Sequence, residues 1–270
     1  MPPPVFADVN TLIFGGGGAR GMTYAGALEE LAHVVDWWSP QRKLKHVCGC
    51  SVGALYAAMI AVGATSDEIS AIARDQPMPR LVDPDVKLLA SRYGLDTGEA
   101  VLQWVDGLLR AKTGRSNLSL RELFELSSVR LTLVATNLNL GRAEYLSHVT
   151  APHMRVAEAV TISMSLPPLF CGRMWRAPVG YARGVKAHEC GAGGATSSAI
   201  AVGQSVRLAD HVKVEPIDGA ELPSGVRTGI VESVEGEAGT ATVRVERSST
   251  LIDGGLLDNF PLRHTAASDG

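Results

Sequence analysis

The stretch Val47-Cys48-Gly49-Cys50-Ser51-Val52-Gly53 runs straight into Ala54-Leu55-Tyr56-Ala57-Ala58-Met59-Ile60. Its first half reads as a strand end and a G-x-S-x-G turn, and its second half is apolar on every side, which marks a buried helix. Ser51 then occupies a tight strand-to-helix turn, where Gly49 and Gly53 leave room for the backbone to double back and the helix dipole points at the serine oxygen. The chemical reading is a nucleophilic serine; the plain structural one is a serine in a tight turn. Upstream, Thr11-Leu12-Ile13-Phe14 enters Gly15-Gly16-Gly17-Gly18-Ala19-Arg20-Gly21, after which apolar residues recur at helical spacing through Leu28 and Leu31. Two strand, glycine turn, helix units in succession predict an α/β fold with a mostly parallel central sheet and helices on both faces.

Beyond these units, capping-box patterns predict helix starts at Thr65 with Glu68, at Ser119 with Glu122 and, in a looser form, at Asp96 with Glu99. Val129 to Thr136 alternates as a strand, Ala143 to Leu146 can pair with it, and Met154 to Met164 reads as a helix stopped by Ser165-Leu166-Pro167-Pro168. From Arg176 to about Ser249 the character changes. A Gly, Ala and Ser-rich stretch (Gly191 to Ala201) precedes short β-like segments at Ser205 to Leu208, Val212 to Glu215, Thr228 to Val234 and Thr240 to Glu246. The reading is a small β-rich insert spanning 176–249 within a domain of 8–270, with a structureless loop as the alternative.

The 270 residues are 46% hydrophobic and 20% charged with a net charge of -3, which excludes a disordered chain, a collagen and a disulfide scaffold. The mild negative charge gives no electrostatic reason to expect nucleic acid. The N-terminus lacks a signal-peptide pattern, and the longest apolar run, Ala54 to Ala64, is too short for a bilayer span, so the expected location is cytoplasmic. Cys48, Cys50, Cys171 and Cys190 show no zinc-ligand spacing and read as reduced thiols. Composition leaves the oligomeric state open.

A glycine-rich turn at a helix N-terminus binds anions, and two anions compete for Gly15 to Gly21. Gly16, Gly18 and Gly21 satisfy G-x-G-x-x-G, but a dinucleotide site asks for an acidic residue about twenty positions on, and Asp36 comes too early. The other reading is an oxyanion hole built on the Gly17 and Gly18 amides, each such donor contributing on the order of 3 kcal/mol. Arg20 either fixes that loop, adds positive potential or is merely solvated. For a base, Asp253 follows the strand-like Thr250-Leu251-Ile252, which places it on the same sheet edge as the two glycine turns. His264 follows it, so a Ser-Asp-His triad stays open; the other six histidines carry no motif.

Gly16-Gly17-Gly18-Ala19-Arg20-Gly21, Gly49-Cys50-Ser51-Val52-Gly53 and Asp253-Gly254-Gly255 together resemble the three sequence blocks of patatin-like phospholipases. Ser163 to Phe170 resembles that family's helix-to-proline segment, and Asn259-Phe260-Pro261 its trailing Asn-x-Pro. The resemblance covers roughly residues 10 to 175 and 250 to 262. It implies a three-layer patatin-like fold and a lipid acyl hydrolase, either phospholipase A-type or lipid esterase, that needs no metal or organic cofactor. It also implies a Ser51 and Asp253 dyad, an oxyanion hole at Gly16, Gly17, Gly18 and Arg20, and motif glycines at Gly21, Gly49, Gly53, Gly254 and Gly255. The implied partner is a lipid or phospholipid, with transient contact at a membrane surface. Trp37-Trp38 and the Trp175, Arg176, Tyr181, Arg183, Lys186 cluster are the interfacial candidates, with core or loop packing and a solvated linker as their alternatives. The 176–249 insert is longer than the family's usual connection, and the chain stops earlier after Asp253 than relatives do. Two further readings remain: a non-catalytic binding protein on the same fold, and a dinucleotide-binding oxidoreductase.

Overall fold

The computed structural model describes residues 9–39, 44–75, 78–186, 189–191, 205–209, 212–217, 228–235 and 240–262. The chain divides into two compact units, Met1–Arg173 with Thr250–Gly270, and Met174–Ser249. In chain order the first unit contains β1 (Thr11–Phe14), α1 (Thr23–Leu31), β2 (His46–Cys50), α2 (Val52–Ala61) and α3 (Ser66–Arg74). It continues through α4 (Met78–Leu81), α5 (Val86–Arg92), α6 (Glu99–Thr113), α7 (Leu120–Ser127), β3 (Arg130–Asn137), β4 (Arg142–Ser147) and α8 (Val156–Ser163).

Its sheet is parallel where the glycine turns are. β1 pairs with β2 from Thr11 opposite His46 to Phe14 opposite Gly49, and β2 pairs with β3 from His46 opposite Arg130 to Cys50 opposite Val134. β4 folds back antiparallel on β3, as the sequence pattern predicts. All five residues of β2 are buried, which fits a central parallel strand covered on both faces. All ten residues of α2 are buried as well, so its lack of a polar face has its reason in the packing. Leu55, Tyr56 and Ile60 on α2 are at most 1% exposed, and burying side chains of this size is favourable by about 1.5–3 kcal/mol each.

Local capping chemistry sets most helix starts. Thr65 and Ser119 each close a capping box with the glutamate three residues on, at the starts of α3 and α7. Asp96 departs from the expected pattern. Its buried carboxylate accepts the N–H groups of Asp83 and Gly98, each at 2.6 Å, and α6 begins after Gly98 at φ 71. The carboxylate thus ties two loop amides together instead of capping the helix. Trp37 is fully buried and donates its indole N–H to the Ala64 carbonyl at 3.0 Å, so it is a packing residue and not an interfacial one.

The second unit carries most of β5 (Arg173–Val185), then β6 (Cys190–Gly191), β7 (Ser205–Leu208), β8 (Glu215–Pro216), β9 (Thr228–Glu235) and β10 (Thr240–Asp253) up to Ser249. β6 with β7, β7 with β9, β9 with β10 and β5 with β8 all pair antiparallel. Alternate residues Ala241, Val243 and Val245 turn inward and meet Val179, Val206 and Val231 in a small apolar core. Val212 to Glu215 is not a continuous strand: only Glu215 and Pro216 pair, while Val212 packs in the small core.

Among the described residues, no helix is long and apolar enough to cross a membrane.

Candidate active site

The site gathers on β3. This strand has β4 along one edge, and along the other it is shared end to end by two strands. Cys50, the last residue of β2, lies opposite Val134; Asp253, the last residue of β10, lies opposite Ala135. β10 runs antiparallel to β3. Asp253 therefore reaches the edge that carries the glycine turns, as its position in the sequence suggests, but arrives there head-on to β2 and not alongside it.

At that junction the Ser51 hydroxyl donates to Asp253 Oδ2 at 2.6 Å. Ser51 has φ 54 and ψ -128, a conformation non-glycine residues avoid and one that costs about 1–3 kcal/mol. Surrounding bonds hold it there. Ser163, fully buried at the end of α8, accepts the Ser51 N–H at 2.9 Å and donates its own hydroxyl to the Val134 carbonyl at 2.6 Å. On the helix side, Ala54 N–H returns to the Ser51 carbonyl at 2.8 Å. Asp253 is anchored through its N–H, which donates to the Ser165 carbonyl at 3.0 Å, while Gly255 N–H donates to Oδ1 at 2.7 Å. Removing the Ser163 hydroxyl strands two backbone groups, so Ser163→Ala is expected to destabilise the fold by about 1–3 kcal/mol in a urea titration.

Asp253 is 2% exposed. Burial pushes its pKa above the ordinary carboxylate range, against the opposing pull of the bonds from Ser51 and Gly255. The neighbouring thiols are inert by the same physics: burial drives Cys48 up to about 12 and Cys50 up as well, helped by the charges of Asp258 and Asp253. Cys48, Cys50 and Cys171 are free thiols. Neither cysteine beside the elbow is a thiolate at neutral pH, which leaves the Ser51 hydroxyl as the nucleophile candidate there.

The glycine loop lies against this pair, since a side chain on Gly16 would stand 3.0 Å from Ser51 Cβ. Gly16 N–H donates to Asn259 Oδ1 at 2.9 Å and to the Asn259 carbonyl at 3.3 Å, so this amide is already engaged. Gly17 and Gly18 come next, and Gly18 adopts φ 53, which suits a residue without Cβ. Arg20 is exposed on the short 3-10 turn Gly18–Met22. Gly21 packs against the Val52 side chain, Gly49 against Gly53 and Ala57, and Gly53 against the Phe14 and Gly15 carbonyls. A Cβ on Gly254 would collide with the Val134 carbonyl, and one on Gly255 would stand 3.0 Å from Asp253 Oδ1. His264 lies outside the described residues. Among the described residues, no group of His, Cys, Asp and Glu is placed to hold a metal ion.

Two residues at this junction lie in segments that carry the resemblance, but the sequence gives neither of them a role of its own. Ser163 is legible only as the start of the helix-to-proline segment, and Asn259 only as the first residue of Asn-x-Pro. Their partners, Val134 and Gly16, lie 29 and 243 positions away, beyond any local pattern.

A parallel α/β sheet with a serine on a strained strand-to-helix turn, and a buried carboxylate against its hydroxyl, defines an elbow-bearing α/β protein. Residues 12–266 match the family model described as Patatin-like phospholipase, and the chain belongs to that family. YqhO of Bacillus subtilis is 33% identical over 174 residues, covering 58% of this chain and 56% of YqhO. The probable lipid hydrolase 463L of Invertebrate iridescent virus 6 is 24% identical over 166 residues, covering 59% and 54%. The chain thus spans about half the length of the curated relatives it matches. Among solved structures, VipD from Legionella pneumophila aligns over 94% of this chain and 47% of its own, with 16% identity and a TM-score of 0.49.

Proposed function

We propose that this chain carries the catalytic centre of a lipid acyl hydrolase, phospholipase A-type or lipid esterase, in which Ser51 is the nucleophile and Asp253 the base. The observation that carries the reading is the direct 2.6 Å bond between Ser51 Oγ and Asp253 Oδ2, which leaves no room for an imidazole between them. Ser51 Oγ attacks the ester carbonyl carbon as its proton passes to Asp253. The negative charge that builds on the carbonyl oxygen is met by the Gly17 and Gly18 amides, while Gly16 holds their loop and Arg20 adds positive potential. The tetrahedral intermediate collapses, the carbon to alcohol-oxygen bond breaks, and Asp253 returns its proton to the leaving alcohol. Water then attacks the acyl-serine, giving one proton to Asp253, and the second collapse frees the fatty acid and restores the Ser51 hydroxyl with that proton. Membership of the patatin-like phospholipase family and the likeness to a probable lipid hydrolase support a lipid ester as substrate.

The test is turnover of p-nitrophenyl butyrate and of a phospholipid by the purified chain, with fluorophosphonate labelling mapped by mass spectrometry. A single adduct on Ser51, forming in step with loss of esterase activity, is the expected result. Turnover with no adduct on Ser51, or an adduct on another residue that abolishes activity, would overturn the assignment. Binding of lipid without turnover or adduct would leave the non-catalytic reading in its place.

A further inference from the structure

Two segments far apart in sequence meet at a single residue. The loop that follows Asp253 is tied down at both ends. Gly255 N–H holds Asp253 Oδ1 at 2.7 Å, the Leu257 and Asp258 N–H groups close back on the Gly254 carbonyl at 3.1 and 3.0 Å, and Tyr145 on β4 donates to Asp258 Oδ2 at 2.7 Å. The next residue, Asn259, is therefore presented from a fixed turn. Its side-chain amide pairs with Gly16 as one peptide group pairs with another: Oδ1 accepts the Gly16 N–H at 2.9 Å and Nδ2 donates to the Gly16 carbonyl at 3.3 Å. A Cβ on Gly255 would stand 2.9 Å from the same Oδ1, so the side chain that grips Gly16 also lies against the residue that bonds Asp253. One position earlier in the glycine loop, Tyr24 donates its hydroxyl to the Gly15 carbonyl at 3.0 Å. Gly15 and Gly16 are held, and Gly17 and Gly18 extend from that anchorage.

We infer that Asn259 is a positioning residue for the oxyanion loop: by pairing with both backbone groups of Gly16 it fixes the plane of that residue and so aims the Gly17 and Gly18 amides at the reacting carbonyl. The inference rests on the hydrolase reading above. It gives the aspartate loop a double duty, supplying the base and orienting the donors, so the two halves of the machinery are registered by one side chain. Hydrogen-bond donors contribute to catalysis only when they are oriented before charge develops, and loss of one such donor lowers kcat by about 10²–10³-fold. Loss of aim without loss of the amides themselves is expected to give part of that effect.

The experiment compares wild type with Asn259→Ala. Expected are a kcat for p-nitrophenyl butyrate lowered by about 10- to 100-fold, a KM within about twofold, and a rise of similar factor in the Ki of a trifluoromethyl ketone that adds to the serine. The acid limb of the pH profile, which reports Asp253, is expected to stay in place. Exchange of the Gly16 amide with deuterium, which needs no activity, is expected to speed up by about tenfold or more. A kcat within twofold of wild type overturns the inference, as does a loss of kcat with an unchanged Ki or a displaced acid limb, either of which puts the effect on Asp253 or on the fold. If Asn259→Ala does not fold, Asn259→Asp keeps an acceptor for the Gly16 N–H and removes the donor to its carbonyl. It is read in the same way, with a smaller loss of kcat expected and no loss overturning the inference. Wild type that neither turns over the ester nor takes the fluorophosphonate, while Gly16 exchange still responds to Asn259→Ala, defeats the hydrolase reading and leaves only a structural clamp.

Discussion

Asp253→Asn is expected to lower kcat by about 10²- to 10⁴-fold, the range that a positioned general base contributes, while KM moves little. Asparagine is nearly isosteric, so the bond to Ser51 survives in altered form, but the amide cannot take the serine proton. The pH profile carries the sharper signature. Burial raises the pKa of Asp253 in the folded protein, so wild-type activity is expected to fall as pH drops through a midpoint above the unperturbed carboxylate value of about 3.9. That acid limb is expected to vanish in the variant. Stability has the opposite sign from the usual salt-bridged carboxylate. With its folded pKa raised, Asp253 binds a proton more readily in the native than in the unfolded chain, so its contribution falls as pH rises from the unfolded value through the folded one. At pH 7 the buried charge opposes folding, and Asp253→Asn is expected to match or exceed wild type in thermal melting. A variant that kept wild-type turnover would remove Asp253 from the mechanism and reopen the search for the base.

Ser51→Ala is expected to abolish fluorophosphonate labelling and to lower kcat by a factor on the order of 10⁶, as loss of a serine nucleophile does when the rest of the machinery stays in place. The residual rate is set by binding and the oxyanion loop. The Ser51→Ala, Asp253→Asn double variant is expected to be no slower than Ser51→Ala alone, because a base without a nucleophile has nothing to deprotonate. Folding is expected to change little: alanine keeps the Cβ, so the backbone at φ 54 is as strained as before, and the bond that the residue 51 N–H donates to Ser163 Oγ remains. Measuring both single variants and the double at one pH separates this non-additive pattern from two independent losses.

The elbow was readable because its physics is local. A strand, two glycines around a serine and ten apolar residues are contiguous, and each constrains the next. The capping boxes at Thr65 and Ser119 were readable for the same reason, and Asp96 misled because its carboxylate answers to Asp83 across a loop and not to its own helix. Strand direction was beyond the sequence: nothing in Thr250-Leu251-Ile252-Asp253 distinguishes a strand that enters parallel from one that enters antiparallel, since the alternation of side chains is the same in both. The engaged amide of Gly16 was hidden likewise, because it depends on Asn259, 243 residues away. Contact decides which glycines are compelled: Gly254 by the Val134 carbonyl, Gly53 by those of Phe14 and Gly15.

The two strand ends that meet on β3 have a wider consequence. Cys50 and Asp253 stand opposite consecutive residues, Val134 and Ala135, so the strand end that carries Ser51 and the strand end that carries the carboxylate are set about one 3.3 Å step apart along a single strand. Nothing in that gauge depends on how much chain intervenes between Arg173 and Thr250. Because closing a longer loop costs only about 0.6 kcal/mol for each doubling of its length, lengthening or trimming the intervening chain is expected to leave the spacing of the two strand ends untouched.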